Sequence, residues 1–169
     1  LTLSPLTSKI NYDPEKDFVP VSIVASTPFV VTVNQSFPAD TLVEFIAEVK
    51  KKPGVYAVAS AGAGSTTHVA SLLFLKSAGL DMVHVPYRGI GPAFTDMFAG
   101  NVQMVSASPV ELMPHLSSKK VKPLGISSKE RSRHLPDVPT ISEILPTPTV
   151  ATYNVILAPK GTPQEVVDQ

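Results

Sequence analysis

The sequence predicts an α/β fold in which a mostly parallel sheet carries helices on both faces. Three observations lead there. Short apolar stretches alternate with helix-compatible ones through the middle of the chain, apolar residues in the latter recur at helical spacing, and glycines and prolines fall at the joints. From Thr41 to Lys52 the spacing of Leu42, Phe45, Ile46 and Val49 predicts an amphipathic helix, with Thr41 able to cap it and Pro53-Gly54 stopping it. Val55 to Ser60 is short, apolar and partly β-branched, and reads as a strand. Ala61 to Ser65 then supplies two glycines ahead of a second helix through Val69, Leu72 and Leu73.

The pattern repeats downstream. Met82 to Tyr87 reads as a strand, Gly89-Ile90-Gly91-Pro92 as a turn into a helix ending at Gly100, and Val102 to Ser106 as a strand. The next helix starts at Pro109, a residue suited to a first helical turn, and runs toward Lys119 before the strand Val121 to Ile126. Strands joined by helical crossovers lie parallel, so the alternation βαβαβαβ implies an open, doubly covered sheet. On the flanks, Val19 to Val24, Phe29 to Val33 and Val150 to Leu157 are strand-like and read as crossovers to something outside the core. Ser127 to Thr149 is proline-rich and aperiodic, with a short helical candidate at Thr140 to Leu145, and reads as a surface excursion. Pro159-Lys160-Gly161-Thr162-Pro163 is a turn that starts a last helix.

Composition removes several function classes. The 169 residues are 43 % hydrophobic, and fourteen basic side chains balance fourteen acidic ones. That balance argues against an affinity built on neutralising nucleic-acid phosphates. No apolar stretch approaches the roughly 18 to 20 residues of a membrane-crossing helix. Without cysteine there is neither a disulfide framework nor a thiolate metal site. The four histidines, His68, His84, His115 and His134, show no helical i, i+4 pairing, so no metal site is expected.

The chemistry-bearing stretch is Ser60-Ala61-Gly62-Ala63-Gly64-Ser65-Thr66-Thr67-His68, between the end of a strand and the start of a helix. Open α/β sheets bind ligands at that edge. Glycines let backbone N–H groups approach closely, the hydroxyls of Ser65, Thr66 and Thr67 add donors, and a helix start carries partial positive charge. The loop therefore reads as an anion cradle that suits a carboxylate. It reads equally as a tight turn followed by a helix that one threonine caps. A third glycine is missing for a dinucleotide fingerprint, no lysine follows Gly64 as in a P-loop, and Gly-x-Ser-x-Gly is absent. Tyr87-Arg88 in the next such loop offers a guanidinium to a carboxylate or to a surface ion pair, and Ser106-Ala107-Ser108 offers small hydroxyls. These loops hold no Asp or Glu for general acid or base work; Asp96, one turn into a helix, is the nearest. The basic run Lys119, Lys120, Lys122, Lys129, Arg131 and Arg133 reads as a solvated face, with a docking patch as the sharper reading.

Several stretches together resemble one family, the periplasmic solute-binding receptors of tripartite tricarboxylate transporters, also called Bug or TctC-like receptors. They are Asn11 to Phe18 with Pro20-Val21-Ser22, the Ser60 to His68 loop, Asp81 to Gly89 with Pro92-Ala93 and Asp96, Pro114-His115, Leu135 to Thr140, and Leu157 to Pro163. The resemblance implies a type II periplasmic binding protein that closes two α/β lobes on a small carboxylate and presents it to the membrane components of a transporter. It implies no catalysis, no cofactor, no metal and no nucleic acid. It further implies export to the periplasm by a signal peptide that this chain does not carry. On that reading residues 1–24 end a first lobe and cross over, 25–149 form the second lobe, and 150–169 return. The family's opening strand and loop would then lie upstream of Leu1, and a lobe on its own could self-associate. Ligand contacts implied for this lobe come from Ser60, Ala61, Gly62, Gly64, Ser65, Thr66 and Thr67, with Tyr87, Arg88, Ser106 and Ala107 on the same edge and Tyr153 on the return crossover. Ala107 stands where many relatives have an acidic residue, which implies plain mono- or dicarboxylates rather than amino acids. The competing reading is an α/β enzyme or nucleotide-binding domain that sets the Gly62-Ala63-Gly64 loop on a phosphate.

Overall fold

A computed structural model of the chain describes residues 9–168, in two units. One unit joins the two ends of the chain, residues 1–27 and 152–169; within it, 1–8 and Gln169 lie outside the described residues, and so do the parts of the expected segments 1–24 and 150–169 that fall on them. Its strands β1 (Phe18–Pro28) and β7 (Ala151–Pro159) form a two-stranded sheet, prolonged by a bond from the Lys160 N–H to the Asp17 carbonyl at 2.9 Å. Asp13 organises the turn before β1, accepting from the N–H groups of Glu15 and Lys16 and pairing with the Lys16 ammonium at 2.9 Å. A short helix, Gln164–Val167, follows Pro163.

The other unit, residues 28–151, is a five-stranded sheet with helices on both faces. In chain order it contains β2 (Val30–Asn34), α1 (Leu42–Lys51), β3 (Ala57–Ser60), α2 (Thr66–Ala78), β4 (Val83–Pro86), α3 (Ile90–Phe98), β5 (Met104–Ala107), α4 (Pro109–Ser117) and β6 (Val121–Ile126). The strand order is β4-β3-β5-β2-β6. β3 runs parallel to both β4 and β5, as the helical crossovers require, whereas β2 runs antiparallel to β5 and β6.

Local chemistry explains the helix limits. Thr41 starts α1 with a capping box: its hydroxyl accepts from the Glu44 N–H, and the Glu44 carboxylate accepts from the Thr41 N–H. Ser108 and Glu111 repeat that device at α4, where Pro109 occupies the first turn. α2 stops at Gly79, whose φ of 62° lies in the left-handed region and whose N–H returns to the helix.

The period-2 alternation of the strands divides the core in two. On one face Val31, Val33, Val58 and Met104 pack with Leu42, Phe45 and Val49 of α1 and Phe74 and Leu75 of α2. On the other, Val30, Ala59 and Val105 pack with Phe94 and Met97 of α3 and Leu112 of α4.

Three expectations need correction. Phe29 to Val33 is not a flanking crossover: β2 is a central strand, buried at all five positions and hydrogen-bonded on both sides. Its uncharged sequence suits that position, because both faces and both edges are removed from water. The strand expected from Val55 begins only at Ala57; Val55 is 67 % exposed, and Tyr56 turns its hydroxyl to the Glu48 carboxylate at 2.6 Å. Finally, 127–149 is more than a surface excursion, since Leu135, Val138 and Ile141 close the core, the last from a single 3-10 turn, Ile141–Glu143.

Candidate ligand-binding edge of the sheet

The parallel strands end in register. Ser60 lies opposite Pro86, and Ala59 opposite Val105, so the loops after β3, β4 and β5 emerge along one edge. Because β2 runs the other way, its first residue joins them, with Val30 opposite both Ala107 and Ile126. This edge therefore gathers Ser60 to Thr67, Tyr87-Arg88 and Ser106-Ala107. Tyr153 belongs to the other unit, half-exposed on β7.

The glycine loop is held by its own hydroxyls. Ser65 caps α2, its Oγ accepting from the His68 N–H at 3.2 Å. Thr67 Oγ1 accepts from the Ala61 N–H at 2.9 Å and bonds to Ser65 Oγ at 3.0 Å. Ser60, fully buried at the end of β3, donates from Oγ to the Gly62 carbonyl at 3.0 Å and accepts from the Gly62 N–H at 3.3 Å. The Gly64 N–H donates to His68 Nδ1 at 3.0 Å, and the Ser65 N–H to the Gly62 carbonyl at 3.1 Å. Gly62 has φ 135° and Gly64 φ 74°, values that a side chain would strain.

These bonds use the N–H groups of Ala61, Gly62, Gly64, Ser65 and His68. Among the described residues the N–H groups of Ala63, Thr66 and Thr67 have no protein acceptor, and Ala63 and Thr66 are exposed. The expected cap needs correction, since Ser65 and not a threonine caps α2. The loop is a capped tight turn, and it also presents donors at a helix start where the backbone dipoles favour an anion.

The neighbouring loops are more committed. Tyr87 donates to Asp96 Oδ2 at 2.6 Å, and burial first, then the adjacent carboxylate, pushes its hydroxyl up to about 12. Arg88 is exposed and forms no ion pair among the described residues. Ser106 is buried and its Oγ accepts from Ser71 Oγ at 2.9 Å. Ala107 is fully buried, and Ser108 is occupied with Glu111. Beyond them, Ser127 binds β2 and the end of the proline-rich segment together, accepting from the Phe29 N–H at 2.8 Å and donating to the Val150 carbonyl.

The basic run is not one continuous face. Lys122 is paired with Asp40 at 2.8 Å, Arg131 with Glu143 at 2.6 Å, and Lys120 lies over the Phe98 ring. His68 and His84, far apart in sequence, are stacked with ring centroids 3.7 Å apart and planes 6° from parallel. The signal for that contact was the βαβ order: a residue in the first turn of α2 lies over the end of β3, beside the parallel neighbour β4. Among the described residues no three His, Cys, Asp or Glu side chains cluster as metal ligands, and no helix is long and apolar enough to cross a membrane.

Comparison with known proteins bears on the same chain. The description "Tripartite tricarboxylate transporter family receptor" matches residues 1–169. A UPF0065 protein from the tcbD-tcbE intergenic region of Pseudomonas sp. strain P51 is 38 % identical over 167 residues, which are 95 % of this chain and 48 % of that protein. A solved structure of Rpa4515 of R. palustris with adipate superposes with a TM-score of 0.83 at 30 % identity, over 94 % of this chain and 54 % of that one. MatC (Rpa3494) from Rhodopseudomonas palustris with bound malate gives 0.82 at 35 % identity, over 96 % and 56 %. The chain thus spans about half the length of the relatives it matches. With the family pattern running from its first residue to its last, the chain belongs to the receptor family of tripartite tricarboxylate transporters.

Proposed function

We propose that this chain supplies one lobe of a periplasmic solute receptor and holds one end of a small carboxylate on the loop from Ser60 to Thr67. The observation that carries the reading is the set of three unpartnered N–H groups, Ala63, Thr66 and Thr67, at the start of α2 beside glycines with positive φ. A carboxylate oxygen accepts from such donors without a fixed cation. Relatives solved with adipate and malate make dicarboxylates the first candidates. The buried Ala107 puts no acidic group for an ammonium at the end of β5, which favours a plain dicarboxylate over an amino acid. Residues 25–149 are the second lobe on this reading. Arg88 enters from its guanidinium in the loop after β4, and Tyr153 on the family resemblance alone. The protein binds and delivers to the membrane components of a transporter; it does not transform its ligand.

One lobe gives a ligand half its hydrogen bonds and leaves it wet, so binding by this chain alone is expected to be weak, in roughly the millimolar range. Amide NMR reads binding of that strength. Titration with malate and with adipate should move the Ala63, Thr66 and Thr67 amide signals together and saturably. Unmoved signals with every carboxylate overturn the reading, and movement with ATP or inorganic phosphate alone transfers the loop to a phosphate ligand.

A further inference from the structure

The stacked pair of His68 and His84 has no part in the reading above, yet the bonds that hold Gly64 and Ser60 in the glycine loop end on their rings. His68 Nδ1 accepts the Gly64 N–H at 3.0 Å. An accepting Nδ1 carries no hydrogen, so the neutral ring holds its hydrogen on Nε2. His84 Nε2 lies 2.8 Å from Ser60 Oγ. Ser60 already gives its hydroxyl hydrogen to the Gly62 carbonyl, so His84 is the donor in that contact. The two imidazoles thus fix both glycines, His68 through Gly64 and His84 through Ser60 and Gly62, and they brace one another face to face.

We infer that His68 and His84 are the positioning residues of the ligand loop and that His68 holds it only while its Nδ1 carries no proton. The inference rests on the reading that this loop binds a carboxylate, but the lock itself exists without ligand. A proton added at His68 Nδ1 would set N–H against the Gly64 N–H and release the loop. A proton added to His84 keeps the Ser60 bond but places a charge 3.7 Å from the face of its partner ring, in a partly buried site. Burial first, then the neighbouring His68, accordingly holds His84 below the ordinary 6.5. No other charge offsets this. β3, β5 and the first turn of α2 contribute no further titratable group, and the next ones along the edge are Arg88, which is exposed, and Asp96, which is engaged by Tyr87. The sign follows for His84: its neutral form is complete above the ordinary histidine value and is lost as pH falls through the lowered one.

His68→Asn separates acceptor from titration, because asparagine Oδ1 occupies the place of Nδ1 and accepts the same N–H at any pH. Two readouts apply: amide hydrogen exchange and chemical shift of Gly62 and Gly64 without ligand, and malate affinity, both followed from about pH 8 to pH 5. The expected result is that the wild-type Gly64 amide loses protection and malate affinity falls about tenfold more than in His68→Asn over that range. His68→Leu, which keeps bulk but accepts nothing, should be weak at every pH. The inference is overturned by a Gly64 amide that follows pH identically in wild type and His68→Asn. If malate moves no loop amide at any pH while the ligand-free difference at Gly64 persists, the lock stands and the carboxylate reading falls.

Discussion

Tyr87 donates its hydroxyl to Asp96 across the turn between β4 and α3, joining the residue just past an edge strand to a carboxylate nearly two turns into the following helix. The bond ties the Arg88-Gly89 turn, where Gly89 sits at φ 108°, to the body of the sheet.

Tyr87→Phe removes one charge-assisted bond from a partly exposed site and should cost about 1 kcal/mol in urea unfolding. The same bond sets an alkaline limit. The tyrosine value is raised in the folded state, so its contribution is complete below about 10 and is lost as pH rises toward about 12. A spectrophotometric titration of the four tyrosines should show one phase near 12 that is absent from Tyr87→Phe.

The buried hydroxyls of Ser71 and Ser106 join α2 to β5 behind the ligand edge. Ser71→Ala strands the Ser106 hydroxyl without its donor, at a cost of about 1 to 3 kcal/mol. Adding Ser106→Ala removes the stranded group as well. The double variant should therefore lose clearly less than the sum of the singles, and strict additivity in denaturant titrations would contradict the pairing.

Gly125 in β6 has no room for a methyl group: an added Cβ would stand 2.8 Å from Leu42 Cδ2 and 3.3 Å from Ile141 Cγ1. Leu42 is fully buried and has no open side to move into. Gly125→Ala should destabilise by about 1 to 3 kcal/mol through overpacking. Trimming Leu42 to Ala in the Gly125→Ala protein should then cost less than the same trim in wild type, and an equal cost in both would disprove the clash.

Two carboxylates should stay ionised far into acid. Glu143 is lowered to about 2 by Arg131 first and by the Thr140 N–H, and Glu48 to about 2 by Lys52 first and then the Tyr56 hydroxyl. Their contribution is present above the ordinary glutamate value of 4.5 and is lost as pH falls through about 2. Carboxyl-carbon NMR through an acid titration reads both directly. Arg131→Gln should return Glu143 toward its ordinary value and leave Glu48 where it is.

Local chemistry was the legible part of the sequence. Thr41 and Pro109 announce helix starts, Gly62 and Gly64 announce a strand-to-helix turn, and the repetition of that unit implies parallel strands whose loops share an edge. Relationships set by strand order were not legible. Nothing in Val30-Val31-Thr32-Val33 says that its neighbours are β5 and β6, because an uncharged β-branched run fits a flanking or a central strand equally well until its partners are known. The stack of His68 on His84 has the same origin, since it needs β3 beside β4. The burial of Leu135, Val138 and Ile141 was masked by the surrounding prolines, which interrupt periodicity without keeping apolar side chains out of a core.

The antiparallel β2 also governs the order in which this unit is assembled. It is the first strand of the sheet to leave the ribosome, yet both of its partners, β5 and β6, are translated after three helices and two other strands have been made. The βαβ units of β3, β4 and β5 close over short stretches of chain, whereas seating β2 requires the longest loop closures in the sheet. Until β5 and β6 arrive, Val30 to Val33 is an uncharged segment with two open hydrogen-bonding edges, the condition that invites pairing with a wrong chain. This interior strand is thus paired late, and synthesis that stalls before Val121 leaves it without one of its two covers.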